Sequence, residues 1–406
     1  MSKFLLYSIL LVLTISNFVF AQADPKITSI INKVHIDSLF EDLKALTGDK
    51  QITLSNGVAS ISSRSYINYG NLLAEEYLQK RLKQYGLKTT LQTFDGGGGN
   101  VIAVQLGLTK PDQQIIICAH FDSRPYSGPA PGADDNGSGT SAVLEAARIL
   151  SQYQTDCTII YALWDNEETG LNGSRYYAQL AKSKTDNIIA VINMDMIGWD
   201  GNNDYLAEIH SKSVNKSNQV AMNLIKINTD YGIGLQLVVI DPGSTSSDHS
   251  SFWNFNYSAV MLIEGYFSND FHPMYHTSLD NISYINKLYY EKCVKVSIGT
   301  LAYYAGIQTL SSVQQSTPLD YSLYQNYPNP FNPVTKIKYS IDKESHVKLI
   351  VYDALGREVA TLVDQFQASN NYEVKFEANN TLSSGMYFYV LSTGDHFSVR
   401  KMVLAK

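Results

Sequence analysis

Between Val101 and Ile263, short runs of Ile, Val, Leu and Ala alternate with stretches of helical periodicity. Val101–Leu106, Ile115–Cys118, Thr158–Leu163, Ile188–Met194, Leu235–Ile240 and Ala259–Ile263 read as strands. Thr140–Ser151, Ser174–Lys182, Gln219–Asp230 and Lys287–Ile307 read as helices. Strands apolar on both faces, with helices between them, bury themselves in a mostly parallel sheet covered on both sides. The expected fold class is therefore α/β, a three-layer sandwich with a mostly parallel central sheet. Ahead of it, Ile27–Leu46 reads as a helical lead-in, and Asn71–Leu82 as a second helix ended by Gly86.

Composition narrows the field. At 406 residues two domains are expected. A net charge of -7 argues against a nucleic-acid partner, which needs clustered Lys and Arg. Cys118, Cys157 and Cys293 are too few, and odd in number, for a disulfide framework. Cys118 and Cys157 flank strand runs and read as small buried apolar residues.

Residues 1–23 read as a signal peptide. Lys3 gives a positive start, Phe4 to Phe20 is mostly apolar, and Ala21-Gln22-Ala23 supplies the cleavage pattern. Ser8, Thr14, Ser16 and Asn17 interrupt the apolar run, and a membrane span needs about 20 clean apolar residues. No membrane span is expected after signal cleavage.

At the other end the composition changes after Gln308. Residues 311–323 read as a linker rich in Ser, Gln and Thr. Tyr327-Pro328-Asn329-Pro330-Phe331-Asn332-Pro333 cannot be helical. Alternating runs such as Ile337/Tyr339/Ile341 and Val347/Leu349/Val351 follow, punctuated by Gly356, Gly385 and Gly394. About six such strands make residues 324–406 a small all-β sandwich.

The chemistry lies in five ordered segments. They are His120-Phe121-Asp122-Ser123, Gly132–Gly139 with Asp134-Asp135-Asn136, and Trp164-Asp165-Asn166-Glu167-Glu168-Thr169-Gly170. Asn193-Met194-Asp195-Met196-Ile197-Gly198 and Tyr275-His276-Thr277-Ser278-Leu279-Asp280 complete the set. Three of them follow strand runs, the end at which open α/β sheets build sites. Two imidazoles and several carboxylates suit a pair of zinc ions held by nitrogen and oxygen. Two metals about 3.5–4 Å apart can polarise a carbonyl and generate a hydroxide. Gly96–Gly99 lacks the Lys-Ser/Thr of a phosphate loop and reads as a flexible turn.

With these motifs, residues 60–280 resemble the co-catalytic two-zinc aminopeptidases of clan MH, among them the secreted leucine-type enzymes. Arg64-Ser65-Tyr66, Ala74-Glu75-Glu76-Tyr77-Leu78 and Asn100-Val101-Ile102-Ala103 extend the resemblance toward the amino terminus. It implies a zinc peptidase domain over 24–310. It also implies that His120 and Asp195 hold one zinc, Glu168 and His276 the other, and Asp135, directly before Asn136, bridges both, with Asp134 the nearest competitor for the bridge. Glu167 becomes the general base, and Asp122 the partner that orients His120. The resemblance further implies a cis bond between Asp135 and Asn136. Tyr275 is either a hydrogen-bond donor to the tetrahedral oxyanion or an ordinary pocket wall. Asp248-His249 resembles an outer segment of the family, and His249 is not expected to be a ligand. His35, His210, His272, His346 and His396 read as surface or internally satisfied residues. Met196, Phe252, Phe255, Phe267 and Phe271 are candidates for an apolar pocket or for core. Glutaminyl cyclisation, on the same fold with one zinc, and carboxypeptidase or dipeptidase activity are the alternatives.

Tyr324–Pro333, Tyr352-Asp353, Gly356-Arg357-Glu358-Val359-Ala360, Gly385–Tyr389 and Arg400-Lys401-Met402-Val403 resemble the sorting domains read by the type IX secretion system. That implies a protein exported through the periplasm and secreted or held at the cell surface, with the secretion machinery and peptide substrates as partners.

Overall fold

The computed structural model of the chain describes residues 23–95, 97–308, 321–343, 345–367, 370–394 and 396–406. The expected signal peptide lies outside the described residues except for Ala23, and the expected linker does so up to residue 320. The chain divides into two compact units, Met1–Ser311 and Ser312–Lys406.

The first unit opens with two helices where one was expected, α1 (Pro25–Ile31) and α2 (Ile36–Thr47). The break has a polar cause: the His35 N–H is taken by Glu145 Oε1 at 3.0 Å, outside any helical ladder. A short hairpin, β1 (Ile52–Leu54) and β2 (Gly57–Ala59), precedes α3 (Tyr69–Gln84). The sheet then forms from β3 (Lys88–Phe94), β4 (Gly98–Gln105), β5 (Lys110–His120), β6 (Cys157–Trp164), β7 (Asn187–Met194), β8 (Leu206–His210), β9 (Gln236–Ile240) and β10 (Ala259–Ile263). Its spatial order is β3-β4-β6-β5-β7-β10-β8-β9. The central strands β6, β5, β7 and β10 run parallel, and antiparallel pairs flank them.

The alternation of side chains along β5 builds both cores at once. Ile115, Ile117 and Ala119 enter the larger one, which also holds residues of α1–α3, α4 (Gly139–Leu150), α6 (Ser217–Asp230) and α8 (Lys287–Ala305). Ile116 and Cys118 enter the other, beneath α5 (Asn172–Ser183) and α7 (His249–Trp253). This is the expected three-layer α/β sandwich. The glycine run belongs partly to the sheet: Gly98 and Gly99 open β4, and the Gly99 N–H donates to Asp165 Oδ2 at 3.0 Å. A Cβ on Gly98 would sit 2.3 Å from the Phe94 ring and 2.8 Å from Asn166 Nδ2, so those side chains would have to move to admit one.

The second unit carries two sheets. One has the order β11 (Ser322–Leu323), β12 (Val334–Ile341), β15 (Asn370–Glu377). The other has the order β14 (Glu358–Gln367), β13 (Ser345–Asp353), β16 (Gly385–Ser392), β17 (Phe397–Leu404). Ile337, Tyr339 and Ile341 of one sheet share a core with Val347, Leu349 and Val351 of the other. It is a β-sandwich, as expected, and it begins a little before Tyr324 because β11 pairs with Tyr339 and Ser340.

Candidate metal centre

The site forms where the parallel strands end. His120 is the last residue of β5, Asp195 follows β7, and Glu167 and Glu168 lie in the loop after β6. Asp135 sits in a tight irregular turn, Ala133–Ser138, that leads into α4; its φ of -105° and ψ of 93° are not helical. The Asp135–Asn136 peptide is cis, as the resemblance implied. Asn166, Met196 and His276 have φ of 58°, 54° and 58°. Such conformations are uncommon for residues with side chains and collect at sites that the surroundings over-determine.

Two groups of side chains converge: His120, Glu167 and Asp195 in one, and Asp135, Glu168 and His276 in the other. Within each group the ligand atoms lie no more than 4.8 Å apart. Asp135 touches both, with Oδ1 3.3 Å from His120 Nε2 and Oδ2 3.0 Å from His276 Nε2. Asp195 Oδ1 is 3.4 Å from His120 Nε2, and Glu168 Oε2 is 3.0 Å from His276 Nε2. All five expected ligands and Glu167 therefore meet in one place.

The donor set fits divalent cations. At an effective dielectric of about 20, two carboxylates at that separation repel by about 3–4 kcal/mol. Glu168 Oε1 is buried without a hydrogen-bond partner, an arrangement natural cores avoid unless something else binds there. Titration carries the same strain. Burial, and then Asp135, push Glu168 up to about 7. Burial lifts Glu167 well above the usual carboxylate range. Burial opposes the charge on His276, but Asp135 and Glu168 outweigh it and raise it to about 9. Burial also disfavours the Asp135 carboxylate, yet the two imidazoles hold it below the usual range. Cations entering this cluster displace protons.

An outer layer fixes the inner one. His120 Nδ1 lies 3.2 Å from the Asp122 carbonyl and 3.4 Å from its Oδ1, and the two carboxylate oxygens accept the main-chain N–H of Glu167 and Glu168, each at 3.1 Å. One carboxylate thus sets both an imidazole and the Glu-Glu loop. Asp280 does the same for the turn, accepting the N–H of Asp134 at 2.9 Å and of Asp135 at 3.0 Å. Ser247 donates to Asp195 Oδ2 at 2.6 Å. Asp134, the competitor for the bridge, is committed elsewhere, with Oδ1 accepting the Gly198 N–H at 2.8 Å. Fully buried Arg64 donates to the carbonyls of Leu46, Phe121, Pro131 and Gly132, tying the loops after β5 to α2.

Sequence reasoning missed Asp280 as a turn anchor, Ser247 and Arg124. Only Arg124, two residues past Asp122, carried a local cue. Its Nη2 donates to the Tyr126 hydroxyl and to the Glu168 carbonyl, and its Nε is 3.2 Å from Glu168 Oε2.

A cavity of about 290 Å³ opens onto the centre, with Met196, Met261, Ile263 and Phe271 on its apolar side. Phe252 and Phe255 belong instead to the core, and exposed Phe267 stacks on His210 with ring centroids 5.2 Å apart. Tyr275 lines the cavity, its ring stacked on His276 at 3.6 Å. Burial, then the nearby carboxylates, raise its phenol and keep it a proton donor. His249 belongs to neither metal group; its Nε2 meets the Ser244 carbonyl at 2.9 Å and burial lowers it to about 3. His210 is satisfied by Glu208 and Ser244, whereas buried His272 departs from the expectation, with no partner for either ring nitrogen.

Residues 100–301 match the model of Peptidase family M28, and residues 325–405 that of the Secretion system C-terminal sorting domain. Among curated proteins, aminopeptidase YwaD of Bacillus subtilis is 32% identical over 191 residues, 45% of this chain and 40% of that protein. A probable zinc metalloprotease of Pyrenophora teres f. teres is 37% identical over 116 residues, 27% of this chain and 25% of that protein. The chain spans about a quarter of the length of the curated relatives it matches first. Among solved structures, the LapA aminopeptidase of Legionella pneumophila superposes with a TM-score of 0.60 at 22% identity, covering 70% of this chain and 76% of that one. A glutaminyl cyclase of Bacteroides thetaiotaomicron gives 0.54 at 21%, covering 66% and 97%. At these identities the two structures share the fold, which serves both chemistries. No helix among the described residues is long and apolar enough to cross a membrane.

Proposed function

With residues 100–301 a peptidase family M28 domain and residues 325–405 a secretion-system sorting domain, we propose that this chain is an exported two-zinc aminopeptidase that hydrolyses N-terminal residues from peptides. One observation carries the reading: Asp135 reaches His120 with one oxygen and His276 with the other, between two separate ligand groups. His120 and Asp195 would hold one zinc, Glu168 and His276 the second, with Asp135 shared. When bound, the zinc pair polarises the scissile carbonyl and lowers the pKa of water. The three ligand carboxylates contribute -3 against +4, so the loaded centre stays electrophilic without Glu167 as a ligand.

Glu167 then serves as the base. It takes the proton of the attacking water and delivers it to the departing amine. Asp122 holds the Glu167 main chain and so aims its carboxylate. Tyr275 offers its hydroxyl to the oxyanion, and the stack on His276 fixes the ring beside the centre. Met196, Met261, Ile263 and Phe271 suit an apolar side chain on the residue removed.

Metal analysis with a substrate panel tests this. The expected result is two zinc ions per chain and hydrolysis of leucine-type aminoacyl substrates. One tightly bound metal, no gain on adding zinc, and release of pyroglutamate from glutaminyl peptides would establish the cyclase chemistry instead.

The second unit is proposed to be the address for type IX secretion. It has its own core and contributes none of the ligand or base candidates. Deleting residues 317–406 should leave hydrolysis intact and trap the protein inside the outer membrane. Normal release of the shortened chain by a type IX-competent host would refute the sorting role. A folded but inactive shortened chain would show that the sandwich contributes to the site.

A further inference from the structure

We propose that Arg124 and His276 form a carboxylate-binding subsite at the mouth of the cavity, so that the centre prefers peptides whose second residue carries a carboxylate. The inference rests on the two-zinc reading and deepens it, because it assigns a substrate class.

A guanidinium has five N–H groups and accepts nothing. The two on Arg124 Nη2 go to the Tyr126 hydroxyl and the Glu168 carbonyl. Nε lies near Glu168 Oε2 but is buried without a hydrogen-bond partner. Nη1 lies 3.4 Å from His276 Nδ1. His276 turns Nε2 toward Asp135 and Glu168, each 3.0 Å away, the side on which a cation would be held. An imidazole that gives Nε2 to a metal carries its proton on Nδ1. Nη1 and Nδ1 are then both donors, side by side, and the contact between them is repulsive until an acceptor joins them. A carboxylate satisfies both with charge-assisted bonds.

The subsite is pre-formed and reachable. The Arg124 guanidinium lies 4.4 Å over the Tyr126 ring, and Tyr126 packs edge-on against Tyr66 at 5.5 Å. The Arg124 side chain keeps 33% of its surface exposed and, with His276, lines the cavity. Charge selects the ligand. Without cations, Asp135, Glu168 and Asp195 would repel an anion; with two zinc ions and Arg124 the balance is positive. On a peptide held for cleavage of its first bond, the nearest carboxylate belongs to the second residue. It is either the terminal group of a dipeptide or an Asp or Glu side chain.

Two substrate pairs separate these sources. On zinc-replete protein, kcat/KM is compared for Leu-Gly against Leu-Gly-amide, and for Leu-Glu-amide against Leu-Gln-amide. Charge-assisted bonds of this kind are worth roughly 10–100-fold, so the wild-type ratio should reach that range in the pair whose carboxylate is used. Arg124→Met should bring the ratio to about one, and Arg124→Lys should restore part of it. Because Arg124 also touches Glu168, both variants are expected to be slower on every substrate; the ratio is blind to such a uniform loss, and zinc content is measured alongside. Wild-type ratios near one in both pairs would overturn the proposal, even where Arg124→Met fails to hold zinc. A wild-type preference that persists in zinc-replete Arg124→Met would also overturn it. Zinc-loaded wild-type protein that cleaves none of the four substrates would point instead to failure of the aminopeptidase reading.

Discussion

Glu167→Gln is expected to keep both metals and lose turnover by about 10²–10⁴-fold, the usual contribution of general base catalysis. Glutamine preserves the shape of the side chain and leaves the main chain, which Asp122 holds through its N–H, in place. What disappears is the carboxylate proposed to take a proton from the attacking water. The measurement is kcat with zinc content on the same sample. Near-normal turnover in a fully loaded variant would remove Glu167 from the reaction. Loss of one zinc would make it a ligand, because its carboxylate already falls within the group of His120 and Asp195. Glu168→Gln is the internal contrast, since it should weaken metal binding first.

Asp135→Ala should abolish activity and lose both metals together. Its two oxygens face opposite groups, so alanine leaves each group one ligand short. The loss should exceed the roughly 10–100-fold typical of changes to an outer partner. The turn itself should persist, because Asp280 holds it by the main-chain N–H groups of residues 134 and 135. Titration with zinc, followed by calorimetry, distinguishes the outcomes. Retention of one full-affinity site would mean that Asp135 serves a single ion.

Much of this centre was legible because strand ends and polar motifs coincide. A parallel strand buried on both faces must be apolar, so the first polar residues after it stand out: His120 after β5, Asp195 after β7. The strands that escaped lack that contrast. β3 (Lys88–Phe94) is an edge strand with three of its seven positions exposed and none fully buried. β8 buries Glu208 and His210, which satisfy each other at 2.8 Å and so hide a core strand behind polar letters. Asp280 and Ser247 act across 145 and 52 residues of chain, and no local pattern encodes such a contact. Arg124 stood beside a recognised motif, but its role depends on where Glu168 and His276 come to lie.

Arg64 has a consequence for how much of the chain the centre needs. The matched span starts at residue 100, yet one guanidinium from residue 64 gathers four carbonyls around the loops that carry the chemistry. Asn71 reaches forward in the same way, donating to Asp165 at 2.9 Å in the loop before the Glu pair. A polypeptide trimmed to residues 100–301 would retain every candidate ligand and lose the Arg64 and Asn71 contacts to the loops that carry them. Residues 23–99 are to the centre what a keystone is to an arch: they supply none of its candidate ligands, and they grip the loops that do.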